Sequence, residues 1–316
     1  MSALVSSAAI ADAAARIKGV ARHTPLVELP GEEGGPVYAK CENLQAGGAF
    51  KIRGAFNFIA RLDDAAVRSG VITYSSGNHA QAVALAARRR GLAAVVVMPT
   101  TAPAVKVDGA RRLGAEVYFE GTTSVERKQR AEALAEERGL TMVPPFDHPD
   151  IVAGQGTVGL EILEDCPEGT RVLVPVGGGG LVAGVSTAVK SARPDVTVIG
   201  VEPAGAPKMS KSLAAGHPVT LDQVSSIADG LIPVRPGELT FAHVRRYVDE
   251  VVTVDDEAIA AAARWYAERA KLVVETSGAA SLAALQSGVV GVAAGPTVVV
   301  VSGGNVSLDT LHGLSS

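Results

Sequence analysis

Cysteine is scarce in this sequence. Cys41 and Cys166 are the only two among 316 residues, too few for a disulfide framework. Aromatic residues are scarce as well, at 4%, and no long basic run exists in a chain of formal net charge -4. Neither a phosphate-backbone footprint nor a base-stacking platform is on offer, so nucleic acid is excluded as a partner. Long hydrophobic runs are missing too. The stretch PTVVVVSGG (296–304) is far too short to cross a bilayer, and a membrane role is not expected. The N-terminus looks apolar, but Asp12 interrupts it and no basic segment precedes it. It reads as an amphipathic helix with Ile10, Ala14 and Ile17 inward rather than a secretion signal. A cytoplasmic protein is expected. The six histidines show no paired ligand spacing, so no transition-metal site is expected.

What is present is a soluble globular composition, 47% hydrophobic and 20% charged. Short β-branched runs alternate with helical patterns. Strands are predicted at 70–75, 93–99, 115–120, 171–176, 196–202 and 297–302. Continuous apolar strands separated by helices indicate an α/β fold with parallel sheets covered on both faces. The expected division is a large domain from 1–69 and 148–316 and a small α/β domain from 70–147.

Ligands of such sheets bind at the carboxyl ends of strands, and three unusual stretches fall there. Gly177-Gly178-Gly179-Gly180-Leu181 follows one strand and opens a helix. Exposed amides and a helix N-terminus suit a phosphate. Gly178, Gly180 and Ala183, with Glu202 after the next strand, also satisfy a loose nicotinamide-dinucleotide pattern, which leaves an NAD(P)-binding oxidoreductase as a rival. Ser75-Ser76-Gly77-Asn78-His79 crowds polar groups into a turn that could hold a carboxylate, or could simply cap a helix through Ser76 or Asn78. Ser302-Gly303-Gly304-Asn305 follows the last strand. Lys51 adds a charged amine where a helix begins, at odds with the positive end of its dipole. An amine in an apolar or positive setting is held neutral and can form a Schiff base.

Together these stretches resemble the fold-type II pyridoxal-phosphate enzymes of the serine/threonine dehydratase and serine racemase group. The matching pieces are His23-Thr24-Pro25-Leu26, the K-x-E-N-x-Q-x-x-G-x-F-K-I-R-G-A-F segment ending at Phe56, the Ser75–His79 turn, Gly154-Gln155-Gly156-Thr157, the glycine loop and Ser302–Asn305. The resemblance implies two parallel-sheet α/β domains of the tryptophan-synthase-β type and pyridoxal 5'-phosphate as cofactor. Lys51 would carry the cofactor as a Schiff base and act as the base at Cα. Phe50 would pack beside the ring, Asn78 would meet its 3-hydroxyl, Gly177–Leu181 would cradle its phosphate, and Ser302 would face its pyridine nitrogen. The backbone from Ser75 to His79 would grip the substrate carboxylate. The implied reaction is loss of water from L-threonine or L-serine, giving a 2-oxo acid and ammonia. Serine or aspartate racemisation and 3-hydroxyaspartate dehydration are the alternatives, with Ser76 as a second base opposite Lys51. A homodimer is the family habit.

Two departures stand out. Ala49 replaces the serine usual before Phe50-Lys51. Racemase-like members also bind a divalent cation at positions matching Glu202, Ala206 and Lys208. A lysine replaces the second acid here, so Lys208 is expected to stand where the cation would be and to pair with Glu202.

Overall fold

The computed structural model describes residues 4–31, 34–75, 77–102, 104–291 and 293–314. Two sheets organise the chain. The larger has the order β1 (Leu26–Glu28), β2 (Val37–Cys41), β10 (Thr297–Val301), β7 (Arg171–Pro175), β8 (Thr197–Pro203) and β9 (Glu250–Val254). Its pairings are parallel except that of β1 with β2. The smaller has the order β5 (Glu116–Phe119), β4 (Ala94–Met98), β3 (Val71–Tyr74) and β6 (Thr141–Met142), all parallel. Every residue of β4 and of β10 is buried, the mark of central strands covered on both faces.

All six predicted strands are present. The short edge strands β1, β6 and β9 and the internal β2 were not predicted. At the N-terminus Ser7–Ile17 is helical, but Ile10, Ala13 and Ile17 are its buried residues, not Ala14. At 100° per residue positions 13 and 14 flank the stripe of 10 and 17 equally, and the packing buries the Ala13 side and leaves Ala14 half-buried.

The helix Ile52–Ile59, which follows Lys51, is buried along its whole length. Its Ile52, Ala55, Phe56 and Ile59 share a core with Val71, Val96 and Met98 of the smaller sheet and with Ile151. It also packs against the helices Asn78–Arg90 and Pro149–Asp165, the latter most extensively. That contact is a close one. A methyl on Gly54 would stand 2.9 Å from the Ile151 carbonyl and overlap the Gln155 amide. One on Gly154 would meet Arg53 and Gly54 backbone. The glycines of the Gly154–Thr157 motif therefore serve helix packing. Among the described residues no helix is long and apolar enough to cross a membrane.

Candidate active site

Lys51 is set in place by the two glycine-rich ends around it. Gly47 and Gly48 take left-handed φ of 80° and 74°, which a side chain would resist. Ala49 then forms an antiparallel bridge with Gly303, and the Phe50 amide donates to the Ser302 carbonyl at 3.1 Å. The chain turns into the helix Ile52–Ile59 with Lys51 as its cap. The Lys51 Nζ donates to the Pro145 carbonyl at 2.8 Å and stands 5.2 Å from the centre of the Phe50 ring. Among the described residues no carboxylate forms an ion pair with it. Burial pushes its pKa from 10.5 down to about 8, because desolvation disfavours the charged form.

Beneath Lys51 lies a buried ionic framework. Arg53 Nη2 and Nε reach Glu42 at 2.7 and 2.8 Å, and Nη1 reaches Glu161 at 2.6 Å and the Thr157 hydroxyl at 3.0 Å. Lys40 Nζ meets Glu161 and Asp165 at 2.9 Å each, and the Thr24 hydroxyl donates to Glu42. Burial alone would raise Glu42; the Arg53 charge and hydrogen bonds outweigh it and hold the carboxyl below its ordinary range. Several motif residues, Thr24, Lys40, Glu42, Arg53 and Thr157, are thus spent on fixing the start of one helix.

The glycine loop joins β7 to the helix Gly180–Ala192. Gly179 has φ of 98°. A methyl on Gly177 would come 2.8 Å from the Gly230 carbonyl, one on Gly178 would overlap the Phe146 ring, and one on Gly180 would lie 3.0 Å from Phe146 Cβ. Phe146 directly follows Pro145, so the same two residues touch the loop and the Lys51 amine. The Gly178 carbonyl is held by the Thr240 hydroxyl at 2.7 Å. The first-turn amides of Gly180 and Leu181 have no partner within their own helix and form an anion-binding end.

After β3, the Ser75 hydroxyl accepts from the Gly77 amide at 3.1 Å, and Gly77 caps the helix Asn78–Arg90. Asn78 is not a capping side chain. Its amide nitrogen donates to Glu275, and its carbonyl oxygen accepts from Asn305 at 3.0 Å. Asn305 also donates to the Gly47 carbonyl at 2.8 Å. His79 is buried with Nε2 3.2 Å from the Val143 carbonyl. A carbonyl only accepts, so Nε2 carries the proton. Burial, then the nearby Lys51 charge, pushes this imidazole down to about 3, and it is neutral. Ser76 lies outside the described residues.

Ser302 is buried just past β10, its hydroxyl 3.4 Å from the Ser277 carbonyl. Beside it stands Glu275, which sequence reasoning missed. Glu275 is 3% exposed, and a methyl on Gly303 would overlap its Oε1. Among the described residues its Oε2 has no partner within hydrogen-bond distance, the Lys106 ammonium standing 3.6 Å away. Burial pushes this carboxyl up to about 7, against the lowering effect of Lys106. Phe50, Lys51, Asn78 and Ser302 are therefore linked by one set of contacts. The glycine loop reaches Lys51 through Pro145 and Phe146.

Glu202 and Lys208 lie behind the glycine loop and are both fully buried. The Lys208 ammonium donates to three backbone carbonyls, Val176 at 3.0 Å, Ala206 at 3.1 Å and Leu231 at 2.9 Å. The expected direct pair with Glu202 is not made. The Glu202 carboxylate instead accepts from the Met209 amide at 3.0 Å and the Ser210 amide at 3.4 Å. Those orphan amides of the helix Lys208–Ala215 compete successfully for it. Burial raises Glu202 and lowers Lys208, each partly offset by the other's charge. A carboxylate so engaged is not free for a ribose, which removes the acid that the dinucleotide reading needs.

A phosphorylated pyridoxal fits these residues. A helix N-terminus with adjoining glycines suits an anion, desolvation biases the half-buried Lys51 amine toward its neutral form, and the buried Ser302 hydroxyl lies just past β10. The chain matches the model of the pyridoxal-phosphate dependent enzyme family over residues 17–303, and it belongs to that family. It is 44% identical to an L-threonine ammonia-lyase of Thermotoga maritima over 305 residues, which are 96% of this chain and 76% of that one. It is 41% identical to an L-threo-3-hydroxyaspartate ammonia-lyase of a Pseudomonas species over 300 residues, 94% of each chain. The structure of maize serine racemase superposes with a TM-score of 0.94 at 40% identity, covering 98% of this chain and 97% of that one.

Proposed function

We propose that this enzyme removes water from L-threonine and L-serine to give a 2-oxo acid and ammonia. The observation that carries the proposal is the half-buried Lys51 amine, whose neighbours Pro145 and Phe146 adjoin a phosphate-suited glycine loop. Pyridoxal phosphate, when bound, supplies the electron sink that makes the substrate Cα–H acidic.

The chain's own residues divide the remaining work. Lys51 attaches the cofactor and takes the Cα proton, which its depressed pKa suits. Gly177–Leu181 hold the phosphate through backbone amides, and Phe50 packs against the ring. Asn78, oriented by Glu275 and Asn305, meets the 3-hydroxyl. Ser302 would meet the pyridine nitrogen with a hydroxyl rather than a carboxylate, a partner that would favour prompt loss of a β-substituent. Ser75–His79 grip the substrate carboxylate by backbone amides, at the start of the helix Asn78–Arg90. Lys208 takes the position of a cation behind the glycine loop.

The strand membership of the two sheets supports a division into 1–69 with 148–316 and 70–147. A cytoplasmic homodimer is the proposed setting. The test supplies cofactor-loaded enzyme with L-threonine, L-serine, D-serine and both 3-hydroxyaspartate diastereomers, following 2-oxo acid and enantiomer composition. Oxo acid from L-threonine or L-serine without enantiomer supports dehydration. D-serine formed from L-serine as the main product overturns it and assigns Ser76 as second base.

A further inference from the structure

Three charged side chains meet beside the Ser75–His79 turn, and of these only Glu275, which orients Asn78, has a part in the proposed reaction. Lys106 belongs to the helix Ala104–Arg112, on the side of the smaller sheet. Its stem lies so close to Gly77 that a methyl there would overlap Lys106 Cδ. Its ammonium pairs with Asp229 and stands 3.6 Å from Glu275 Oε2. Asp229 opens the turn Asp229–Leu231, whose Gly230 carbonyl abuts Gly177 of the glycine loop. Glu275 holds Asn78. The cluster therefore reaches from the glycine loop to the turn read as the carboxylate grip.

The charge count there is one cation against two carboxyls. Lys106 and Glu275 side chains are 6% and 4% exposed, and Asp229 is 35% exposed. Solvent therefore screens the two inner groups poorly. Even with Glu275 protonated, Asp229 alone neutralises Lys106. His79 is uncharged, as shown above, and adds nothing positive. A substrate with an uncharged side chain meets no penalty in this setting. One with a second carboxylate meets like charge and finds Lys106, the cation of this cluster among the described residues, already taken by Asp229.

We propose that Asp229, by occupying Lys106, makes the site discriminate against dicarboxylic amino acids, so that the substrate is a β-hydroxy amino acid with an uncharged side chain. This rests on the reading of Ser75–His79 as the carboxylate grip. Asp229 is a specificity residue that acts through Lys106. Asp229→Asn preserves shape, removes one negative charge and frees the ammonium.

The experiment compares wild type and Asp229→Asn in two ways. The first is kcat/KM for L-threonine against L-threo-3-hydroxyaspartate. The second is calorimetric binding of butyrate against succinate to the same cofactor-loaded proteins, which needs no turnover. Wild type is expected to favour the monocarboxylic member of each pair by about tenfold or more. The Asn variant should shrink that preference by about tenfold, through KM for the dicarboxylic substrate rather than kcat. Wild type preferring hydroxyaspartate and succinate overturns the proposal, as does an unchanged preference in a folded Asp229→Asn protein. Should that variant not fold, Asp229→Ser and the wild-type ratio decide the matter. Absence of any threonine or serine turnover would sink the proposed reaction, while the butyrate–succinate ratio would still judge this proposal.

Discussion

Replacing Arg53 with Met removes the centre of the framework under Lys51. The side chain is 1% exposed and its main partner Glu42 is fully buried. Deleting one member of such a pair leaves a charge uncompensated in the interior and costs about 3–5 kcal/mol. At roughly 2–3 °C per kcal/mol for a chain of this size, Tm should fall by roughly 6–15 °C at pH 7. The pH dependence is a sharper test. In wild type, Arg53 holds Glu42 below its ordinary pKa, so its contribution is present above the unfolded carboxyl pKa and is lost as pH falls through the lower folded one. In the variant, burial dominates and raises Glu42, so the folded state binds a proton that the unfolded state releases. Variant stability then declines as pH rises from about 4 toward neutrality. The gap between the proteins should be widest near pH 7 and narrow toward pH 4. Glu42→Gln added to Arg53→Met should recover part of the loss at pH 7. Thermal melts across that range decide the issue. A neutral-pH gap under 2 °C, or one that widens as pH falls, refutes the reasoning.

Other outcomes follow from single contacts. Capture of pyridoxal phosphate by cofactor-free protein should rise with pH through about 8, where Lys51 loses its proton; stopped-flow absorbance with a midpoint near that of an exposed lysine would contradict this. Gly178→Ala drives a methyl into the Phe146 ring. Overpacking of that kind costs about 1–3 kcal/mol and should weaken cofactor affinity by roughly tenfold or more in a fluorescence titration. Lys208 already satisfies three carbonyls, so magnesium should not activate enzyme pretreated with EDTA; clear activation shows that the ammonium does not replace a cation.

Much of this was legible in the sequence because the central strands carry strong local signals. Residues 298–301 and Ala94–Met98 are unbroken apolar runs, and a tetraglycine loop between a strand and a helix has few other uses. β6, with two residues, has no periodicity to read, and β9 begins with exposed Glu250. The framework of Lys40, Glu42 and Arg53 was visible as a motif but not as a buried one, since charged residues usually lie outside. Lys106, Asp229 and Glu275 come from three distant parts of the chain, and only the fold brings them to Gly77 and Asn78. The one local hint was Glu275 itself, an acid between apolar VV and a helix of small residues.

The central claim is that Lys51 is the reactive amine. Protein loaded with pyridoxal phosphate should be reduced with borohydride, digested, and its peptides mapped by mass. The half-buried Lys51 amine meets the Pro145 carbonyl, and the adjoining Phe146 lies against the glycine loop. The expected result is a single phosphopyridoxyl group on Lys51, lost in Lys51→Ala protein that still melts cooperatively. A stoichiometric adduct on another lysine, or its persistence in Lys51→Ala, would contradict the account.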